Sequence, residues 1–318
     1  MWPLVDRIIL QTLSRMNYSK DHFSSQRLFG NLGYFVVTLG IGHLVTVLGY
    51  TKGLMLGISV ICPSFTIYLL LWHFGIFDLI WRSNKNASTS KAQEKPSLST
   101  RHEAIFPVEF PDRPCGIKAL FCLSAYQIYL LTLFLDGFTR FSLGFFLNFY
   151  FTDEVGMSPR EASATISFAI VVEMLFYSVG AALLRTLGVY PMIALGQIIM
   201  VARLWTLFFV PSSSRYEVFV LIELSLGVIC GLFHPACVAL ASKLSLKGKE
   251  STCQAIFNGV YNGIGGFAAG IFGSYSLSLK SNILNTSSFL FMLFLVAIIC
   301  SAWCFSFILL YRNWIKKS

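Results

Sequence analysis

Charge is what this chain has least of: Asp, Glu, Lys and Arg make up 12% of its 318 residues. That leaves too little polar surface for a water-soluble domain of this size. The eight cysteines contain no CxxC pair, and six lie inside apolar stretches, so neither a zinc site nor a disulfide framework is expected. Motifs of membrane enzymes are missing too: no HExxH, no GxSxG and no GxGD occurs. The cluster Gly263-Ile264-Gly265-Gly266 lacks the following Asp that an intramembrane aspartyl protease needs. No GxxxxGK[ST] loop is present to cradle the phosphates of ATP. Neither an enzyme nor an ATP-driven pump is expected, and no cofactor or metal is implied.

What is present is apolar. Hydrophobic residues make up 55% of the chain and its mean hydropathy is +0.68. A bilayer-crossing helix needs ~20 apolar residues. Eight such stretches occur, near Gly30–Tyr50, Leu54–Trp81, Leu120–Phe151, Ala162–Leu184, Tyr190–Val210, Val218–Leu240, Cys253–Tyr275 and Phe289–Leu310. The fold class is therefore an all-α membrane protein of about eight transmembrane helices. Residues 82–116, rich in Ser, Lys, Glu and Pro, read as a flexible cytosolic linker. They separate a two-span part, residues 1–81, from a six-span part, residues 117–318. Before the first span, Trp2, Val5, Ile8, Ile9 and Leu13 recur at helical spacing and predict a short amphipathic helix.

The net charge of +9 does not mark a nucleic-acid binder. The basic residues sit at span ends, with no aromatic-interleaved stripe among them. They gather on one side: Arg82, Lys85, Arg185, Lys243, Lys247, Arg312 and Lys316 are examples. By the positive-inside rule both termini are expected in the cytosol. Short loops between the last six spans predict sequential antiparallel neighbours in a compact bundle.

Several charges fall within spans, where each costs ~2.5–3.5 kcal/mol at the bilayer centre. Such residues are expected to face the protein interior. Asp136 and Arg140 stand four apart and share a helix face, where they can pair. Glu173 lies mid-span. Arg203 is ~21 Å from one end of its helix, and Glu223 is ~10 Å from the opposite end of the next, at 1.5 Å per residue. In a ~30 Å core those depths coincide. An Arg203–Glu223 contact is predicted, with Glu173 as the competing partner. His234 is read as a hydrogen-bonded helix constituent, with a relay role as the alternative. Asn258 and Asn262 share a face on the seventh span, whose glycines predict close packing or a pivot.

Three blocks resemble the major facilitator superfamily, in the branch holding the lactose permease, the nucleoside–proton symporters and their animal relatives. Pro3-Leu4-Val5-Asp6, with Gln26-Arg27-Leu28-Phe29-Gly30-Asn31-Leu32-Gly33-Tyr34, is similar to the acidic end of family helix four and the start of helix five. Glu173 with Arg185-Thr186-Leu187-Gly188 is similar to helix eight and the turn after it. Arg203, Glu217, Glu223-Leu224 and Gly231-Leu232-Phe233 are similar to helices nine and ten. The resemblance implies a partial major-facilitator bundle, family helices five to twelve, with the first four absent. It implies a symporter that moves a small polar solute with protons by alternating access. Asp6 and Arg27 then match the family's solute-contacting acid and Arg, Glu173 its helix-eight acid, and Arg203 its helix-nine Arg. The family's helix-ten His and Glu fall near Ser225 and Val228, so Glu223 would have to serve instead. The candidate set is Asp6, Arg27, Asp136, Arg140, Glu173, Arg203, Glu223, Asn258 and Asn262. The alternative is a non-transporting receptor or scaffold that pairs with a full-length relative.

Overall fold

The structure is a computed structural model. It describes residues 23–49, 51–53, 55–57, 59, 121, 124–245, 250–278 and 287–315. The described chain is helical. In order, α1 spans Phe23–Leu48, α2 Ser124–Phe149, α3 Pro159–Leu187, α4 Val189–Phe209, α5 Tyr216–Leu244, α6 Glu250–Asn258, α7 Gly265–Ser278 and α8 Ser288–Ile315. A π-helical turn, Tyr150–Glu154, closes α2, and a π segment, Gly259–Ile264, joins α6 to α7.

Among the described residues six helices are long and apolar enough to cross a bilayer: Asn31–Leu48, Ser124–Glu154, Pro159–Leu187, Val189–Phe209, Tyr216–Leu244 and Ser288–Leu310. They correspond to six of the eight expected spans. The expected span Leu54–Trp81 falls almost wholly outside the described residues, as do the amphipathic stub and the linker. The seventh is a different object from the plain helix the sequence predicts. It runs as α6, π segment and α7 without a break, and its asparagines and glycines keep it below the apolarity of the other six.

Helix ends are fixed by local chemistry. Ser158 caps α3: its Oγ accepts from the Glu161 N–H at 3.3 Å, and the Glu161 carboxylate accepts from the Ser158 N–H at 2.8 Å. Pro159 then occupies the first helical position, where a missing N–H costs nothing. Gly188 ends α3 with φ +83°, a conformation that side chains disfavour, and α4 starts at the next residue. Pro235 lies inside α5 and cannot donate to the carbonyl one turn back.

Helices α4 and α5 pack as antiparallel neighbours. Helix α3 lies mainly along α5, with which it runs parallel, and only lightly against α4, contrary to the expectation that consecutive spans are neighbours throughout; α1 also packs on α3. A second row runs α7, α2 and α8, and α8 also packs on α4. Two apolar cores result. One, around Tyr129, Leu133, Met192, Phe233, Leu240 and Phe257, fills one end of the bundle. The other, around Leu143, Phe151, Leu204, Phe219 and Leu293, fills the opposite end. Charged and polar residues lie between them.

A buried polar cluster inside the bundle

Arg203 on α4 and Glu223 on α5 are joined. The Arg203 Nη2 donates to both Glu223 carboxylate oxygens, at 2.7 and 2.8 Å, with both side chains 1% exposed. Antiparallel neighbours bring the two residues to one level, as the depth estimate requires. Glu173, the competing partner, takes no part in this bridge. The remaining donors of the guanidinium, Nε and Nη1, are buried without a hydrogen-bond partner.

Arg140 behaves differently from the sequence expectation. It does not turn back onto Asp136 within its own helix. Its Nη1 lies 3.2 Å from His234 Nε2 on α5, and it donates to the Tyr261 hydroxyl in the π segment, also at 3.2 Å. The guanidinium sits 6.0 Å from the centre of the Tyr261 ring. Asp136 is buried and interacts with Arg140 and with the same hydroxyl. Tyr261 thus stands between the two charges. A tertiary contact to two other helices has displaced the intrahelical pair, whose worth is only ~0.2–0.5 kcal/mol on an isolated helix.

Glu173 on α3 is half-buried, and among the described residues it forms no hydrogen bond or salt bridge. Its position is set by Gly227 on α5. A Cβ at residue 227 would run into the Ala169 carbonyl and lie 2.7 Å from the Glu173 backbone nitrogen. Gly227, Cys230 and His234 are spaced by three and four and share a face of α5. Arg140 and Glu173 therefore converge over one face of α5 from two different helices. Cys230, at the centre of that face, lies within electrostatic reach of Arg140, Glu173, Asp136 and Arg203.

The π segment is held against α2 by glycine. A Cβ at residue 137 would strike the Tyr261 carbonyl, and one at residue 265 would lie 3.0 Å from the Phe138 nitrogen. Tyr261 is fully buried and packs edge-on to His234 at 5.1 Å. Asn262 donates to Asn258 Oδ1 at 3.1 Å, so the two asparagines do meet. Asn258 is buried, whereas Asn262 is exposed. Asp6 and the side chain of Arg27 lie outside the described residues.

Three members of the cluster were not among the sequence candidates: Cys230, His234 and Tyr261. His234 carried a signal, as a polar side chain inside an apolar span. Tyr261 carried a weaker one, as the aromatic residue between Asn258 and Asn262. Cys230 carried none.

This is an all-helical, multi-pass membrane protein with ionised side chains sheltered inside its bundle. The chain belongs to the MFS_1 like family, whose sequence model matches residues 1–286. That places it in the major facilitator superfamily, a superfamily of membrane transporters. A search of the curated proteins finds no match to this chain.

Proposed function

We propose that this chain carries out secondary transport of a small polar solute, coupled to protons, by alternating access. The observation that carries the reading is the Arg203–Glu223 pair, buried between two helices with two guanidinium nitrogens left bare. A static pair in such a place brings little net stability, because desolvation offsets the attraction. Its value lies in being opened. A carboxylate released from its guanidinium in a low-dielectric site takes up a proton. Opening the pair is then a proton-binding step, and the bare Arg203 nitrogens are donors ready for another partner. Asp136, Arg140, Glu173 and His234 supply further charged and polar groups, and Asp6 and Arg27 remain family-matched candidates on the other half.

The test is uptake by proteoliposomes that hold the protein, driven by an imposed pH gradient and read as internal alkalinisation or acidification on solute addition. Glu173→Gln and Arg203→Ala are each expected to abolish it. Uptake untouched by both changes removes the site assignment. Proteins that co-purify with a full-length relative and never move solute would instead favour the scaffold reading.

A further inference from the structure

We infer that the solute is a zwitterion, held with its carboxylate on Arg140 and its ammonium on Glu173. The inference rests on the transport reading for its setting, and names the chemistry of the same site.

The two residues come from α2 and α3 and flank one face of α5: the Glu173 backbone lies against Gly227, and the Arg140 guanidinium lies against His234, seven residues further along. Both are half-buried, so each is sheltered from the bulk yet reachable from an open side. Their local states are complementary. Arg140 makes its short contacts to the His234 ring and the Tyr261 hydroxyl, at 3.2 Å each, and not to a carboxylate. Among the described residues the salt bridge within 4 Å belongs to Arg203 and Glu223 instead. The guanidinium is therefore oriented but not neutralised at contact distance. His234 and Tyr261 occupy one nitrogen and leave the rest of the planar fork for a carboxylate, the group it fits best.

Glu173 is the opposite case. Among the described residues it is a carboxylate without a hydrogen bond or salt bridge near the middle of an apolar span, at a place where an unmatched charge is costly. Arg140 and Glu173 lie within electrostatic reach of each other but make no direct bridge. A cation and an anion that lack a direct bridge to each other favour a ligand carrying both signs. A simple anion would satisfy Arg140 and leave Glu173 facing a like charge. A simple cation would satisfy Glu173 and repel Arg140. Asp136 lies within electrostatic reach of Arg140 but, among the described residues, forms no salt bridge with it within 4 Å, so it does not take the place of a carboxylate at contact distance.

The experiment is ligand-dependent thermal stabilisation of the full chain in lipid nanodiscs, with the common L-amino acids as probes. A ligand that binds the folded state raises the apparent Tm with concentration. At least one amino acid is expected to do so. The amine and the acid obtained by removing its carboxylate or its amino group should each bind about tenfold or more weakly, the loss expected of one charged hydrogen-bonded contact. Arg140→Gln should make the amino acid no better than its amine, and Glu173→Gln should make it no better than its acid. Arg140→Lys, which keeps the charge but not the fork, should fall between wild type and Arg140→Gln. The inference is overturned if no amino acid stabilises the protein, if amine or acid binds as well as the parent, or if the variants leave the order of the three probes unchanged. Failure of proton-driven uptake with this binding pattern intact would sink only the transport reading. Uptake of an uncharged solute, with no amino-acid binding, would sink only the zwitterion assignment.

Discussion

Removing one partner of the Arg203–Glu223 pair should be far more damaging than removing both. Glu223→Ala leaves a guanidinium that is 1% exposed with no carboxylate against it. Two of its three nitrogens already lack a partner, so the substitution would strand all three. An uncompensated buried charge of this kind costs about 3–5 kcal/mol. The double change Arg203→Met with Glu223→Leu removes both charges and refills the space with apolar atoms, at a cost near zero and at most about 1.5 kcal/mol if packing is imperfect. The two single losses should then exceed the double loss, giving a coupling energy of about 3 kcal/mol or more. The assay is a double-mutant cycle on reversible unfolding in mixed micelles, with helicity and Trp fluorescence as two probes. Four proteins are compared at one pH and one lipid-to-detergent ratio. If Glu223→Ala alone costs under about 1 kcal/mol, the residue is reached by water. The reasoning from burial would then fail, and with it the claim that opening this pair is a costly, proton-linked event.

Other consequences are smaller and local. Ser158→Ala removes the cap of α3 and should lower stability by about 0.5–2 kcal/mol, read from the same unfolding curves. Tyr129→Phe deletes the hydroxyl that donates to the Cys237 carbonyl at 3.0 Å, and should cost about 0.5–1.5 kcal/mol. Gly137→Ala places a methyl group against the Tyr261 carbonyl and should cost about 1–3 kcal/mol by overpacking. Gly144→Ala, seven residues further along the same helix with nothing within 4 Å, should be neutral or stabilising by up to about 1 kcal/mol. Equal effects at these two glycines would contradict the helix-crossing geometry.

The helical fold was legible because a bilayer leaves the backbone few choices and the apolar runs are long. The Arg203–Glu223 contact was legible for a related reason. Helical rise is fixed, so depth can be counted along two antiparallel neighbours joined by a short loop. Arg140 was not legible, because its partners, His234 and Tyr261, lie 94 and 121 residues away. A one-dimensional pattern shows the face of Asp136 and Arg140 but not what another helix brings to it. The π segment was hidden too. Asn258 and Asn262 keep helical spacing in sequence, and the widened turn between them follows from tertiary packing against Gly137 rather than from propensity. The expected span Leu54–Trp81 lies almost wholly outside the described residues.

Glycine is what places the charges. Two transmembrane helices gain little hydrophobic energy by meeting, since lipid tails are as apolar as their surfaces, so close backbone approach decides where they meet. Asp136, Arg140, Glu173 and Glu223 each have such a contact within about one turn. Gly137 and Gly265 press α2 against the π segment, three residues from Arg140 and four from Tyr261. Gly227 presses α5 against α3 at the backbone of Glu173 itself, four residues from Glu223. The two seams leave Arg140 and Glu173 facing a common strip of α5 on walls made by different helices. A shift at either seam alters the distance between the two charges without moving either within its own helix. The π segment is the piece of the wall best suited to such a shift, because a π turn breaks the regular ladder of helical hydrogen bonds and is a recurrent feature of functional sites. Tyr261 sits in that turn and holds both Arg140 and, through its hydroxyl, Asp136. Movement of the seventh span is therefore tied to the electrostatics of the cluster by one side chain.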